Sequence, residues 1–143
     1  MKVHILAGSK SDEEIIGKIV QTLKENKINF KLDYASAHRE PERVKEIVKK
    51  SKAYVFIAVA GLSAALPGFV SSLTKKPVIG VPVNSKNSAL SGLDALLSIV
   101  QMPKGVPVAC VGINAAENAA LLAERIIKTT KEQANQEDDG NIW

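Results

Sequence analysis

Tyr54-Val55-Phe56-Ile57-Ala58-Val59-Ala60 is a run of seven apolar residues that ends at Gly61 and leads into the amphipathic segment 62–73. A strand that is apolar at nearly every position suits a sheet covered on both faces, as parallel sheets are. The same alternation repeats outward in both directions. Short apolar runs at 3–7, 30–35, 78–83 and 106–113 are each followed by an amphipathic segment, at 12–25, 41–50, 93–100 and 115–128 respectively. Five strands each followed by a helix predict an α/β fold, a three-layer doubly wound parallel sheet in a single domain. No internal repeat or domain boundary interrupts the pattern. We assign residues 1–130 to this domain and residues 131–143, which turn polar and acidic, to a C-terminal tail expected to fray or to pack on another subunit.

Gly, Ser, Asn and Pro gather just after each strand. In an open α/β sheet those positions form one rim, and ligands bind there. The rim candidates are Gly8-Ser9-Lys10-Ser11-Asp12 after the first strand, the loop 61–68 after the third, and Pro82-Val83-Asn84-Ser85-Lys86 leading to Ser91-Gly92-Leu93-Asp94 after the fourth. After the second strand comes Ser36-Ala37-His38-Arg39-Glu40-Pro41, with the proline at a first-turn position that a helix tolerates. A histidine at a strand's carboxyl edge moves protons near neutral pH, and a neighbouring guanidinium clamps a phosphate or carboxylate at two points. His38 and Arg39 together ask for an anionic substrate. The stretch 8–12 puts small residues and hydroxyls at a helix start, where free N–H groups and the dipole favour an anion. Ser11 or Asp12 alternatively serves as a helix cap. A carboxylate suits a phosphate poorly, so Asp12 is the better acceptor for sugar hydroxyls. His4, inside the first strand, is read as structural.

Composition excludes several classes. The chain has 143 residues, enough to bury one core without metal or disulfide support. Its formal net charge of +4 is spread over scattered lysines and aromatics make up only 4%, which argues against nucleic-acid binding. No apolar stretch approaches the roughly 18 residues of a membrane span, and the N-terminus runs into a strand without a signal-peptide layout. One cysteine, Cys110, in an apolar run, points to core packing and a reducing compartment. The expectation is a cytoplasmic protein with no membrane or nucleic-acid partner. No metal-ligand spacing such as C-x-x-C or H-E-x-x-H is present, nor a G-x-S-x-G elbow, a Walker loop or a dinucleotide fingerprint. The residues themselves lead to a small acid–base site for a phosphorylated ligand.

Taken together, the ordered motifs resemble the PurE family of purine biosynthesis from about Val3 to Ala123. They are Gly8-Ser9-Lys10-Ser11-Asp12, Ser36-Ala37-His38-Arg39, the loop 60–68, Gly80-Val81-Pro82-Val83, Ser91-Gly92-Leu93-Asp94 running on through 96–108, and Asn118-Ala119-Ala120. The resemblance implies a flavodoxin-like domain, a homo-octamer, and an aminoimidazole ribonucleotide substrate handled without metal or organic cofactor. It implies that His38 is the catalytic acid–base residue. Ser9 and Asp12 would hold the ribose phosphate end, Arg39 would bind its phosphate, and Ser36 would bind substrate beside them. Gly61, Ser63 and Ala64 would wall a small pocket for carbon dioxide, glycine permitting close backbone approach.

The family's mutase branch isomerises N5-carboxyaminoimidazole ribonucleotide, and a second branch carboxylates aminoimidazole ribonucleotide directly. Arg39, where the direct carboxylases tend to carry lysine, points to the mutase. One position departs from the pattern: Ala65 stands where the mutase branch has a second histidine. The alternatives to the mutase are therefore the direct carboxylase and a nucleotide-binding relative without turnover.

Overall fold

The computed structural model describes residues 1–138. It contains β1 (Val3–Ala7), a 3-10 turn (Lys10–Asp12), α1 (Glu13–Glu25), β2 (Phe30–Tyr34), α2 (Pro41–Lys50), β3 (Val55–Gly61), α3 (Leu66–Leu73), β4 (Val78–Val83), α4 (Leu93–Val100), β5 (Ala109–Cys110) and α5 (Ala116–Asp138). The strands form one parallel sheet in the order β2-β1-β3-β4-β5. This is the flavodoxin-like doubly wound order, in which the winding reverses between β1 and β3 and opens a crevice at their carboxyl ends.

Alternation along each strand divides the core in two. Val55, Ile57 and Val59 of β3 face one layer with Ile15, Ile16, Ile19 and Leu23 of α1 and Ala116, Ala119, Ala120 and Ala123 of α5. Phe56, Ala58 and Ala60 face the other layer, against Val44 and Val48 of α2, Leu66 and Val70 of α3, and Ala95 and Ile99 of α4. Every position from Val55 to Ala60 is buried, as a two-sided strand requires. Each fully buried Val, Ile or Phe contributes about 1.5–3 kcal/mol, so this strand anchors the rim above it. Gly80 of β4 makes room for the covering layer: a Cβ there would sit 2.5 Å from Ile99 Cγ2 and 3.2 Å from Pro67 Cβ.

His4 is structural, as its strand position implied. Its ring stacks on Phe56 with centroids 5.7 Å apart. Nε2 lies 2.8 Å from Asp33 Oδ2 and Nδ1 2.8 Å from Ser51 Oγ. The carboxylate fixes the proton on Nε2, so Nδ1 accepts from the Ser51 hydroxyl. Burial holds the His4 pKa below the ordinary histidine value despite the nearby Asp33 carboxylate. Burial pushes Asp33 up, but hydrogen bonds from Lys31 and His4 outweigh it and leave that carboxyl below its usual range. The network ties the end of α2 to β1 and β2.

Four boundaries differ from the sequence expectation. The fifth apolar run, 106–113, yields a strand of only two residues. Pro107 lacks a ladder donor and Val106 N–H turns back to Pro103 O, so regular pairing starts late. Past the strand, Val111 and Asn114 still donate to Gly80 O and Pro82 O as single bonds. The helix expected from residue 62 begins at Leu66, because Leu62 takes a left-handed conformation with φ 55° and residues 62–65 form a loop. The first helix opens through the 3-10 turn, and α5 continues past residue 128 to Asp138. The rest of the expected tail, residues 139–143, lies outside the described residues. Cys110 is half-buried against the second core layer and its thiol pKa is pushed up by that burial.

Candidate active site

The carboxyl ends of the strands surround a cleft of about 830 Å³, within the roughly 300–1,000 Å³ typical of small-molecule sites. All the candidate residues meet there: Ser9, Asp12, Ser36, His38, Arg39, Gly61, Ser63 and Ala64 line this single cavity. They come from three different loops, after β1, β2 and β3. Strand order puts those loops side by side at the switch point.

Each loop holds its residues by local hydrogen bonds. Ser9 caps the 3-10 turn, its Oγ accepting from Ser11 N–H at 3.1 Å and from the Ser11 hydroxyl at 2.9 Å. The cap is thus Ser9 rather than Ser11 or Asp12. Among the described residues, Asp12 makes no capping bond of its own and receives only the Ser11 hydroxyl, at 3.3 Å. Its side chain is buried in the cleft wall, and that burial raises its pKa above the usual carboxylate value. A buried acceptor with spare lone pairs suits a ligand's hydroxyls. Lys10 from the same motif points elsewhere, its Nζ 6.0 Å from the Tyr34 ring centre and outside the cleft lining.

In the loop after β2, Ser36 Oγ accepts the Arg39 N–H at 3.3 Å, and Ser36 O accepts the Glu40 N–H at 2.8 Å. This turn carries His38 and Arg39 to the surface of the cleft, and Pro41 then starts α2. The Glu40 carboxylate is taken by Arg43 at 3.2 Å and by Ser36 N–H at 3.4 Å. Arg39 pairs with no carboxylate among the described residues; one Nη donates to Gly8 O at 3.2 Å, bridging the first two loops. Arg39 lines the cleft, and its other guanidinium donors have no partner among the described residues. The His38 ring is exposed and bonds to no other described residue, which leaves both nitrogens to a ligand.

The loop after β3 supplies the opposite wall. A Cβ on Gly61 would stand 3.3 Å from Val83 O and 3.2 Å from Ser85 Cβ, so glycine is what lets the next strand's loop close in. Ala64 is buried, and Ala65 is half-buried and lines the cleft at the start of α3. The position that would carry a second histidine therefore faces the site but brings a methyl group.

The cavity also takes in residues outside the candidate set. Asn84, Ser85, Lys86 and Asn87 after β4 line it, as do Glu14 and Lys18 of α1 and Asn114 before α5. The rim loop 82–86 signalled the first group. Asn114 had no sequence signal: it enters because its Oδ1 accepts Asn84 N–H at 2.9 Å, joining two loops 30 residues apart. Lys18 is engaged by Glu14 at 3.2 Å. Two expected stretches are absent from the lining. Ser91-Gly92-Leu93-Asp94 instead starts α4, where Ser88 donates to Asp94 at 2.7 Å and lowers its pKa. Pro67 and Gly68 are buried within α3, with Met102 Sδ 2.7 Å from where a Gly68 Cβ would stand.

The cleft thus combines an exposed imidazole, an unpaired guanidinium, a buried carboxyl and a small-residue wall. Such a set is chemically suited to an anionic, hydroxyl-bearing molecule and to proton transfer. Comparison with known proteins agrees. A family model described as AIR carboxylase matches residues 2–138. The N5-carboxyaminoimidazole ribonucleotide mutase of Methanocaldococcus jannaschii is 61% identical over 125 residues, 87% of this chain and 78% of its own. That of Saccharolobus solfataricus is 53% identical over 129 residues, 88% of this chain and 80% of its own. Among solved structures, Treponema denticola PurE superposes with a TM-score of 0.76 at 32% identity, covering 96% of this chain and 94% of that one.

Proposed function

The chain belongs to the AIR carboxylase family, and on that premise we propose how its cleft acts on an aminoimidazole ribonucleotide. The reaction is the isomerisation of N5-carboxyaminoimidazole ribonucleotide to the 4-carboxylated aminoimidazole ribonucleotide of purine biosynthesis. What carries this reading is the meeting of His38, Arg39, Ser9 and Asp12 in one cleft of a chain 61% identical to a mutase.

In the proposed mechanism Arg39 takes the ribose phosphate, Asp12 accepts from the sugar hydroxyls, and Ser9 and Ser36 contact the substrate while their hydroxyls also hold the two loops in shape. His38 begins protonated. The bond between the exocyclic nitrogen and the carboxyl carbon breaks, its electron pair stays on nitrogen, and His38 supplies the proton. Carbon dioxide and the electron-rich ring are then held together against Gly61, Ser63 and Ala64. Ring carbon 4 attacks carbon dioxide, and neutral His38 removes the proton that this carbon sheds, which returns the histidine to its starting state. Two reactants kept in one confined pocket react at a high effective concentration.

Oligomerisation belongs to the same proposal. Leu93, Leu97 and Val100 lie on one face of α4 and are 43–45% exposed, with Leu90 nearby in sequence 56% exposed. Such a stripe supports burial against further copies, as in the homo-octamer implied by the family. The division into a working domain, 1–130, and a polar segment, 131–143, is proposed with it. Among the described residues no helix is long and apolar enough to cross a membrane, and we assign the protein to the cytoplasm.

The test is product formation from N5-carboxyaminoimidazole ribonucleotide in degassed buffer, beside a reaction with aminoimidazole ribonucleotide and bicarbonate. Turnover in the first at low bicarbonate is expected. Turnover only in the second would make the protein a direct carboxylase, and silence in both would leave a binding protein, the outcome to which Ala65 would then be the clue.

A further inference from the structure

Among the described residues, one buried side-chain polar atom has no hydrogen-bond partner: Ser85 Oγ. A buried hydroxyl left unpaired costs stability, so a native site that keeps one calls for a physical reason. Its surroundings supply one. Ser85 lines the cleft, and a Cβ placed on Gly61 would lie 3.2 Å from Ser85 Cβ and 3.5 Å from Ser85 Oγ. The hydroxyl therefore sits directly beside the Gly61–Ala64 wall, in space that any residue larger than glycine at 61 would crowd.

Sheet order locates it relative to the rest of the substrate. β2, which leads to His38 and Arg39, is separated from β4, which leads to Ser85, by β1 and β3. The Arg39 guanidinium reaches across to Gly8 O just past β1, and two strand spacings separate β1 from β4, about 10 Å. Arg39 and Ser85 line the same cleft, so one ligand can meet Arg39 with an anionic group and Ser85 with another. Lys86, adjacent to Ser85, lines the same cleft and forms no ion pair among the described residues, so the Ser85 side is also positively charged.

We propose that Ser85 is a substrate-contacting residue whose hydroxyl donates to an oxygen of the migrating carboxyl group, and that this bond retains carbon dioxide between its release from nitrogen and its capture by carbon 4. The proposal rests on the mutase reading above. Ser85 keeps its own proton throughout; the proton that moves is the one on His38, and no other reactant is needed. A neutral gas molecule is held by few contacts, so a single donor in the pocket wall has a large effect on how often it escapes before the second bond forms.

Ser85→Ala tests this with five readouts: the rate of isomerisation, the aminoimidazole ribonucleotide released per product formed, the 13C taken into product from labelled bicarbonate, the affinity for aminoimidazole ribonucleotide, and the melting temperature. The expected result is a rate about 10- to 100-fold lower, as for loss of a bond to a charged group. More free aminoimidazole ribonucleotide and more label in the product should accompany it, with the affinity for aminoimidazole ribonucleotide within twofold of the parent. The melting temperature should be unchanged or higher, since the removed hydroxyl had no partner. Unchanged release and labelling would overturn the assignment, and so would a lower rate that comes only with a lower melting temperature, the mark of a structural serine. If the parent protein itself isomerises nothing, the mutase reading fails and this inference fails with it.

Discussion

Arg39→Ala is the most decisive single change to the proposed site. The side chain is exposed and gives up only one bond to a neutral carbonyl, Gly8 O at 3.2 Å, so folding stability should fall by no more than about 0.5 kcal/mol. Binding is another matter. No carboxylate among the described residues neutralises the guanidinium, so its charge is free for the substrate's phosphate. A hydrogen bond to a charged group contributes about 1.5–3 kcal/mol, which corresponds to a KM for N5-carboxyaminoimidazole ribonucleotide raised about 10- to 150-fold. kcat at saturation should change little, because the phosphate does not alter during the reaction and its contact is uniform along the path. Arg39→Lys should recover part of the loss, since it restores a point charge but not the two-point fork. The assay is steady-state kinetics at two ionic strengths, with ribose 5-phosphate as a competing ligand. The parent should lose affinity for both molecules as salt rises, and Arg39→Ala should show a weaker salt dependence. A KM within twofold of the parent, with unchanged inhibition by ribose 5-phosphate, would refute the phosphate assignment.

His38→Asn should lower turnover by about 10²- to 10⁴-fold, the range for a lost general acid–base group, while a fluorescence titration finds nucleotide affinity little changed; undiminished turnover would remove His38 from the mechanism. Burial raises the Asp12 pKa, and ribose hydroxyls need its ionised form, so KM should climb as pH falls through a value above that of an ordinary aspartate; a KM–pH profile of Asp12→Asn that kept this acid limb would exclude Asp12 as its source. Burial lowers the His4 pKa, so between the lowered and the ordinary histidine values the unfolded chain binds more protons than the folded one. Stability is then complete above the ordinary value and declines as pH falls below it, with Asp33, also lowered, adding a loss at still lower pH. Melting temperatures from pH 8 to pH 5 should show that decline in the parent and a shallower one in His4→Asn; identical slopes would contradict it.

Much of this protein was legible in one dimension. The repeated pairing of a short apolar run with an amphipathic segment determined a doubly wound parallel sheet, because a strand apolar on both faces is stable only between two helical layers. Clustering of Gly, Ser and Pro after those runs pointed to the rim where the cleft opens. The motifs around His38 and Arg39, and those at 8–12 and 60–68, pointed to the residues that do line the cleft. Strand propensity overstated the fifth strand, since Pro107 removes a ladder donor regardless of how apolar its neighbours are. The loop 91–94 looked like rim by composition but is used to start α4.

Only the tertiary structure decided which loops touch. The order β2-β1-β3-β4-β5 comes from how helices cover the sheet, and it brings the loops that carry Arg39 and Ser85 to one cleft. Neither an orphaned hydroxyl at Ser85 nor a buried Asp12 carboxylate with a single long hydrogen bond is a property of a residue type; both exist because of what neighbours leave unsatisfied. Periodicity is written locally along the chain, whereas hydrogen-bond satisfaction and burial are sums over contacts between residues far apart in sequence, and those sums are available only once the chain has folded.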